Sequence, residues 1–400
     1  MDLNYIERWL ADATVNYQDG RPAVGLGLII TVFFRNGHTP EVRQKMVGCV
    51  DRFYKEFGDL LKKQMNGRWV GITEKNYAKK RQEIIDSSPE EIFDWYLTSS
   101  TEDYLAPDYA ISIMGKRIFH NDNNRSVIKL TFPLSLLNEE DGPKCYQDWL
   151  LWLCNEFEVE SGYAGISFSL PQEFHRMFPY EYSLAQRFPS VMVDSIGVLE
   201  GLHAIKGIKG ACWYNLLGTP WLEKLGGESQ VKKMVADTPE ISLLTYNNGL
   251  IIKAGEKPPA LGEINSEELP PLLVKVNQVI KPIRLQKERS LHFYSMEDNH
   301  QFDNASTAKW YARFDEASDK LPIPELLPDE HAEPARITAY SGETSPHTGR
   351  WGTFIDGSLR YVHVKHGQTL PEYEDKEGRR HRTLWSLLER DDKGSVFINS

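Results

Sequence analysis

The chain has few of the residues that build a disulfide framework or an export signal. Four cysteines occur in 400 residues, and no two of them form a CxxC pair. Each lies in an apolar segment, which is typical of buried thiols in a reducing compartment. The first residues lack a basic region followed by an apolar stretch, and no apolar run approaches the ~20 residues needed to cross a bilayer. We therefore expect a soluble, cytoplasmic protein that does not bind a membrane.

The chain also has fewer basic than acidic residues. The chain carries 46 Lys and Arg against 57 Asp and Glu, a formal net charge of -11. Residues 331–400 hold ten of each sign, so the whole acidic excess lies in residues 1–330. Generic binding to nucleic acid or to an anionic membrane favours the opposite sign. An acidic surface suits a basic partner, or serves only solubility.

The common signatures of enzymes and cofactor sites are absent. The sequence contains no HExxH, GxSxG, DxDxDG or GxxxxGK[ST] motif. The residues alone thus show no catalytic constellation and predict no cofactor, and they point toward a binding protein. Five of the eleven histidines do cluster late, at His331, His347, His363, His366 and His381. A metal-dependent enzyme built on these histidines stays open as an alternative, although a strand would point His363 and His366 to opposite faces.

A second alternative rests on the four residues GIKG, Gly207–Gly210. A GXXG loop clamps a nucleic-acid backbone in KH domains, where it joins two helices beside a small sheet. Here an apolar and aromatic stretch follows the motif, which favours a strand or a buried turn. Short motifs match often by accident, so the KH-like interpretation is the weaker one.

Apolar patterning predicts alternating strands and helices. Strands are expected where β-branched and apolar residues run between turn residues, at 23–34, 108–119, 126–137 and 162–170. Helices are expected where apolar residues recur at helical spacing, at 39–65, 143–158, 266–281 and 306–318. Asn248-Gly249 predicts a tight turn inside a hairpin at 241–253. Two strand-then-helix units hint at an internal duplication.

The fold class expected from this order is α+β, with antiparallel sheets backed by helices. We expect an α+β body over residues 1–320, with a possible division near residue 120. Residues 321–334 contain four prolines without periodicity and predict a linker. Residues 335–400 predict a small β-rich module.

The acidic run Glu139, Glu140 and Asp141 follows a predicted strand. Charge runs usually form solvated faces or helix starts, but a loop at this place could also serve a partner. We take these three carboxylates as the candidate contact with a protein partner.

Several segments, taken in order, resemble the type VI secretion immunity family, long known as a domain of unknown function. They cover 205–218, 221–227, 247–265, 269–282 and 302–315. A G-x-x-W-x-x-x-L-G signature and a T-x-x-W-x-x-RFD ending carry the resemblance, through Gly210, Trp213, Leu217, Gly218, Trp310, Arg313 and Asp315.

The resemblance spans about residues 20–320 and implies a function. A member of this family would bind and neutralise a cognate type VI toxin without being an enzyme. The resemblance extends to the TsiT type, the partner of a restriction-endonuclease-like nuclease toxin. A cytoplasmic, acidic inhibitor suits such a toxin, which we expect to be basic. The protein itself would then bind no nucleic acid directly, and its oligomeric state is open.

Overall fold

The structure is a computed structural model with two compact units, Met1–Asp329 and Glu330–Ser400. It describes residues 1–65, 67–194, 197–286, 290–292, 300–321, 336–355, 358–374 and 380–397. Apart from Leu321, the predicted proline-rich linker lies outside the described residues.

One large antiparallel sheet organises the first unit. Eleven of the described strands form it, in the order β10-β11-β9-β8-β2-β7-β6-β5-β3-β4, with β1 paired to β2. The strands are β1 (Val15–Asn16), β2 (Pro22–Phe34), β3 (Lys63–Met65), β4 (Trp69–Gly71), β5 (Phe93–Thr98), β6 (Ala110–Gly115), β7 (Ser126–Pro133), β8 (Val159–Ser169), β9 (Tyr214–Gly218), β10 (Ile241–Tyr246) and β11 (Gly249–Ala254). Strands β6 and β7, from either side of residue 120, are neighbours in it.

Short and medium helices connect and cover these strands. They are α1 (Asn4–Glu7), α2 (Pro40–Phe57), α3 (Glu74–Asp86), α4 (Gly142–Glu156), α5 (Phe178–Arg187), α6 (Thr219–Lys224), α7 (Gly227–Met234), α8 (Pro271–Ile280), α9 (Asn304–Tyr311) and α10 (Asp315–Ser318). Helix α2 begins as expected, because Thr39 caps it by accepting a hydrogen bond from the backbone N–H of Val42 and Pro40 occupies its first turn.

Strand β2 lies at the centre of the sheet and is buried on both faces. Because side chains alternate along a strand, Thr31 and Phe33 point to one face, whereas Phe34 points to the other and packs on Phe157 at the end of α4. Helices α2 and α4 lie side by side on this second face, where Phe53 meets Trp149 at a ring distance of 5.7 Å. The largest apolar cluster surrounds these contacts on both faces of the sheet.

A second apolar cluster fills the end of the unit formed by β9–β11. Helices α6, α7 and α8 contribute Trp221, Val231 and Val276 to it, and Phe314 joins from the turn before α10. The hairpin β10–β11 was predicted correctly, but its turn consists of Asn247 and Asn248, because Gly249 already pairs with Tyr246.

Three predicted helices have the wrong bounds. Residues 39–65 do not form one helix: α2 ends at Phe57, and Lys63–Met65 instead pairs with β5. Leu60, which lies within this predicted helix, is 45% exposed. Helix α8 begins at Pro271 rather than at Ser266, because Glu263 draws the preceding residues into a turn through hydrogen bonds from Asn265 and Ser266.

The predicted helix at 306–318 is divided into α9 and α10. Its start lies earlier than expected, because Asp303 caps α9 in a reciprocal hydrogen-bonded box with Ser306. The interruption at Ala312–Phe314 places Arg313 outside both helices.

The second unit contains a four-stranded antiparallel sheet in the order β12-β17-β13-β14 and a two-stranded one formed by β15 and β16. Its strands are β12 (Thr338–Tyr340), β13 (Gly349–Ile355), β14 (Ser358–Val364), β15 (Tyr373–Glu374), β16 (Arg380–His381) and β17 (Leu384–Arg390). Trp351, Trp385 and Leu387 form its small apolar core. The predicted α+β class, with a small β-rich C-terminal module, is confirmed.

Candidate partner-binding surface

The acidic loop Glu139–Asp141 is a short and tightly held connection. It joins a 3-10 turn at Leu134–Asn138 to the first residue of α4. Gly142 follows directly, and a Cβ atom there would lie 1.6 Å from the carbonyl oxygen of Leu136. Because the backbone passes so close to Leu136 here, only glycine fits at this position without displacing the chain.

All three carboxylates are exposed and available. Within the described part of the chain, neither Glu139, Glu140 nor Asp141 makes a side-chain hydrogen bond or an ion pair. Asp141 occupies the N-cap position of α4 without capping it through its side chain. The loop therefore offers negative charge that no ion pair or side-chain hydrogen bond with another described residue neutralises.

An open groove of about 340 Å³ lies beside the loop, between α2 and α4. Charged residues dominate its lining, which consists of Arg52, Glu56, Asp141, Lys144, Cys145, Asp148 and Trp149. Lys144 donates to Asp148 at 2.6 Å, so this pair is neutralised within the helix. Asp141 thus connects the loop to the groove in one continuous surface.

Cys145 brings a thiol to this surface, but the thiol is not a nucleophile. Burial, together with a hydrogen bond from its Sγ to Glu56 Oε1 at 3.3 Å, raises the pKa of the Cys145 thiol to about 12. The group is protonated at neutral pH. The groove therefore favours contact with a partner over covalent chemistry.

The motif residues Gly210 and Arg313 meet in the structure, although about a hundred positions separate them in sequence. The guanidinium of Arg313 stacks on Trp310 at 3.7 Å and donates to the carbonyl oxygens of Pro189 and Ala211. Gly210 has a φ of +153°, and a Cβ there would lie 3.2 Å from the guanidinium. Through these hydrogen bonds, Arg313 links Pro189 and Ala211 to the turn that precedes α10.

The remaining motif residues are also internal. Trp213, Leu217 and Gly218 belong to or precede β9 and are buried. Asp315 receives a bidentate pair of hydrogen bonds from Arg284 at 2.5 and 2.9 Å. These contacts give the signature a role in the framework of the fold.

The GIKG segment is buried, which contradicts the KH-like alternative. All four residues, Gly207–Gly210, lie in the interior, and a strand rather than a helix follows them. Lys209 donates to both oxygens of Glu200, at 2.5 and 2.7 Å, and its Nζ lies 3.8 Å from Asp194. A lysine neutralised in this way cannot clamp a phosphate backbone.

The C-terminal histidines do not assemble a metal centre in the described residues. His363 pairs with Asp391 at 2.9 Å on the surface, and no group of three or more metal-ligating side chains occurs in the described ranges. His331 lies outside the described residues. No helix in the described ranges has the length and apolar character required to traverse a bilayer.

Comparison with known proteins places the chain in a family. The family model TsiV, described as type VI immunity for VRR-NUC, matches residues 45–314. This is more than half of the chain, which therefore belongs to the type VI immunity proteins. The particular family is the one whose members are described as immunity proteins for VRR-NUC. The family recognised from the sequence motifs, with its nuclease effector, is confirmed.

A solved structure supports the fold. The Pseudomonas aeruginosa T6SS protein PA0821 is 20% identical to this chain, with a TM-score of 0.66, over 79% of this chain and 95% of its own length. At this identity the likeness shows the fold alone. No curated protein matches the chain.

Sequence reasoning found the acidic loop but missed the groove beside it. The available signal was Trp149 and Trp152, three residues apart on one helix, with the first buried and the second partly exposed. An exposed tryptophan beside an arginine is a feature of interfaces. The sequence alone does not show that α2 and α4 pack side by side, which places Arg52 of α2 against Trp149 and Trp152 of α4.

Proposed function

We propose that this chain is a non-enzymatic immunity protein that binds its cognate VRR-NUC nuclease effector in the cytoplasm and neutralises it stoichiometrically. The family match carries the proposal. The net charge of -11 supports it, since an acidic inhibitor is complementary to a basic nuclease. Tight neutralisation calls for an interface of roughly 800 Å² or more on each partner.

We further propose that the acidic loop Glu139–Asp141 contacts this effector. Its carboxylates are exposed and lack internal partners among the described residues, and Asp141 at the start of α4 makes no capping hydrogen bond through its side chain. Unpaired exposed charge mainly increases the rate of encounter and fixes orientation.

The test is a triple substitution, Glu139→Ala, Glu140→Ala and Asp141→Ala. Binding to a nuclease-inactive effector should lose about three- to tenfold in association rate at low salt, with a smaller dependence of that rate on salt. A matched control replaces Glu90, Glu223 and Glu240 by alanine. These carboxylates are also exposed and have no side-chain partner among the described residues, so both variants lose the same formal charge.

The control variant should bind like the wild-type protein. If the two triple variants behave alike, the loop is only a solvated face and the effector contacts another surface. Loss of binding by wild-type protein itself would instead refute the proposed function.

A further inference from the structure

Arg52 is held in place by two tryptophan rings. Its guanidinium carbon lies 4.1 Å from the ring centroid of Trp149 and 4.4 Å from that of Trp152. The two rings are nearly perpendicular, at an interplanar angle of 85°. Contact with both rings restricts the rotamers of the arginine and leaves the N–H donors along its edge available.

Those donors have no acceptor. Among the described residues, Arg52 makes no hydrogen bond and no ion pair. Several arginines stacked elsewhere in the chain differ, because each donates to an acceptor: Arg8 to Glu267, Arg21 to Asp19, Arg187 to Glu263, Arg313 to Pro189 and Arg382 to Glu343. Arg52 is therefore oriented like these arginines but makes no ion pair or hydrogen bond with any described residue.

Trp149, which also lines this groove, carries a donor that is unsatisfied among the described residues. The Trp149 side chain is fully buried, and its Nε1 has no hydrogen-bond partner among the described residues. Trp149 and Arg52 both line the 340 Å³ groove. Covering the groove with a partner that offered no acceptor would leave a buried, unpaired guanidinium, which is strongly unfavourable.

We propose that Arg52 is the anchor of the effector interface and receives a carboxylate side chain of the effector in this groove. The planar fork of an arginine matches a carboxylate in a bidentate geometry, and the tryptophan rings orient it before binding. Asp141 lies on the same groove and takes a cationic neighbour of that carboxylate. This inference rests on the proposed function. In the proposed contact each protein contributes one acidic and one basic side chain, rather than this chain contributing only acids and the effector only bases.

The sign of the effect separates this inference from simple charge attraction. The groove also carries Glu56, Asp141 and Asp148 against the two cations Arg52 and Lys144, so its lining is acidic as a whole. If a basic effector is attracted only by the net negative charge of this region, removing the positive charge of Arg52 leaves binding unchanged or strengthens it. If Arg52 is an anchor, its removal accelerates dissociation.

The experiment measures association and dissociation rates of the full chain with a nuclease-inactive effector, for Arg52→Ala, Arg52→Gln and Arg52→Lys. We expect the Ala and Gln variants to dissociate at least tenfold faster. The Lys variant should recover only part of this loss, since an ammonium keeps the charge without the fork. Arg21→Ala removes a stacked arginine that Asp19 already neutralises, and it should stay within twofold of wild type.

Thermal unfolding of each variant shows whether it is folded. Should Arg52→Ala be destabilised, the Gln variant, which retains most of the side chain on the rings, decides the result. Unchanged or tighter binding of the folded Gln variant overturns the inference while leaving the proposed function intact. Absence of binding by wild-type protein overturns both.

A double-mutant cycle identifies the partner group. Aspartates and glutamates of the effector are changed singly to alanine and combined with Arg52→Gln. We expect one of them to show a coupling of tenfold or more in Kd, as for close charge pairs at interfaces. Additive effects at every effector carboxylate would contradict an Arg52–carboxylate contact.

Discussion

At the scale of single residues, Gly210 shows why a short signature is better evidence of a family than of a site. Its φ of +153° disfavours any other residue, and the Arg313 guanidinium occupies the space beside it. The glycine, the arginine and Trp310 thus depend on one another. Their common role is to hold two distant segments together.

Gly210→Ala should destabilise the protein by about 1–3 kcal/mol, because alanine strains the backbone and displaces Arg313. Urea unfolding measures this loss. Gly25→Ala is the matched control, since no atom lies within 4 Å of a Cβ there and its φ is ordinary. Equal stability of the two variants would show that Gly210 is not constrained.

Lys116 is a buried charge without a carboxylate partner among the described residues. It is 7% exposed and contacts Met114 Sδ at 3.0 Å. Burial, together with the nearby charge of Arg117, lowers the pKa of Lys116 to about 8. Below pH 8 the ammonium is charged in both the folded and the unfolded state. Because it is buried only in the folded state, its desolvation lowers the free energy of unfolding.

Lys116→Met should therefore stabilise the protein at pH 7, by on the order of 1–3 kcal/mol. The unfolded state binds more protons between pH 8 and 10.5, so the stability of wild type rises relative to the variant as pH increases through this range. Unfolding free energies of both proteins at pH 7 and pH 10 test this. If Lys116→Met raised the free energy of unfolding by the same amount at both pH values, this prediction would be wrong.

At the scale of elements, a buried charge network binds residue 194 and the described residues 197–210 to the sheet. Asp194 accepts hydrogen bonds from Thr31 of β2 and Tyr163 of β8, and Lys129 of β7 pairs with it at 3.0 Å. Lys209 completes the network by neutralising Glu200. Two acids and two bases are thus balanced on the face of the sheet opposite α2 and α4.

Lys209→Met should cost about 3–5 kcal/mol, because it leaves the buried carboxylate of Glu200 without its cation. Lys232→Met is the control: its pair with Glu228 is exposed, so its loss should cost under about 1 kcal/mol. Chemical unfolding of both variants provides the comparison. Similar losses would mean that the network does not fasten the segment.

Much of the element order could be predicted from local sequence. Strand β2 and the start of α2 follow from an apolar run and from Thr39-Pro40, which are local signals. The end of α2 could not be predicted in this way, since residues 63–65 keep helical spacing but gain hydrogen bonds by pairing with β5. Tertiary pairing overrides local preference there.

The candidate surface likewise has one part that local sequence predicts and another that depends on the packed structure. The charge run at 139–141 is visible in the sequence, whereas the need for glycine at position 142 appears only once the close approach of Leu136 is known. Arg52 has no sequence neighbour that marks it. Its role depends on two tryptophans from another helix, so it requires the packed structure.

At the scale of the whole molecule, charge and family point to one partner. The acidic excess lies in residues 1–330, and the family match, 45–314, falls within that region. The buried GIKG segment removes the strongest sequence argument for direct nucleic-acid binding. Protection against a nuclease would then come from contact with the enzyme rather than with its substrate.

The most direct test is a titration of the cognate VRR-NUC effector with this protein, measured by the degradation of DNA. The account predicts that cleavage falls in proportion to added protein and ceases near equal molar amounts. Continued cleavage by effector that is saturated with bound protein would contradict it, as would the absence of a complex.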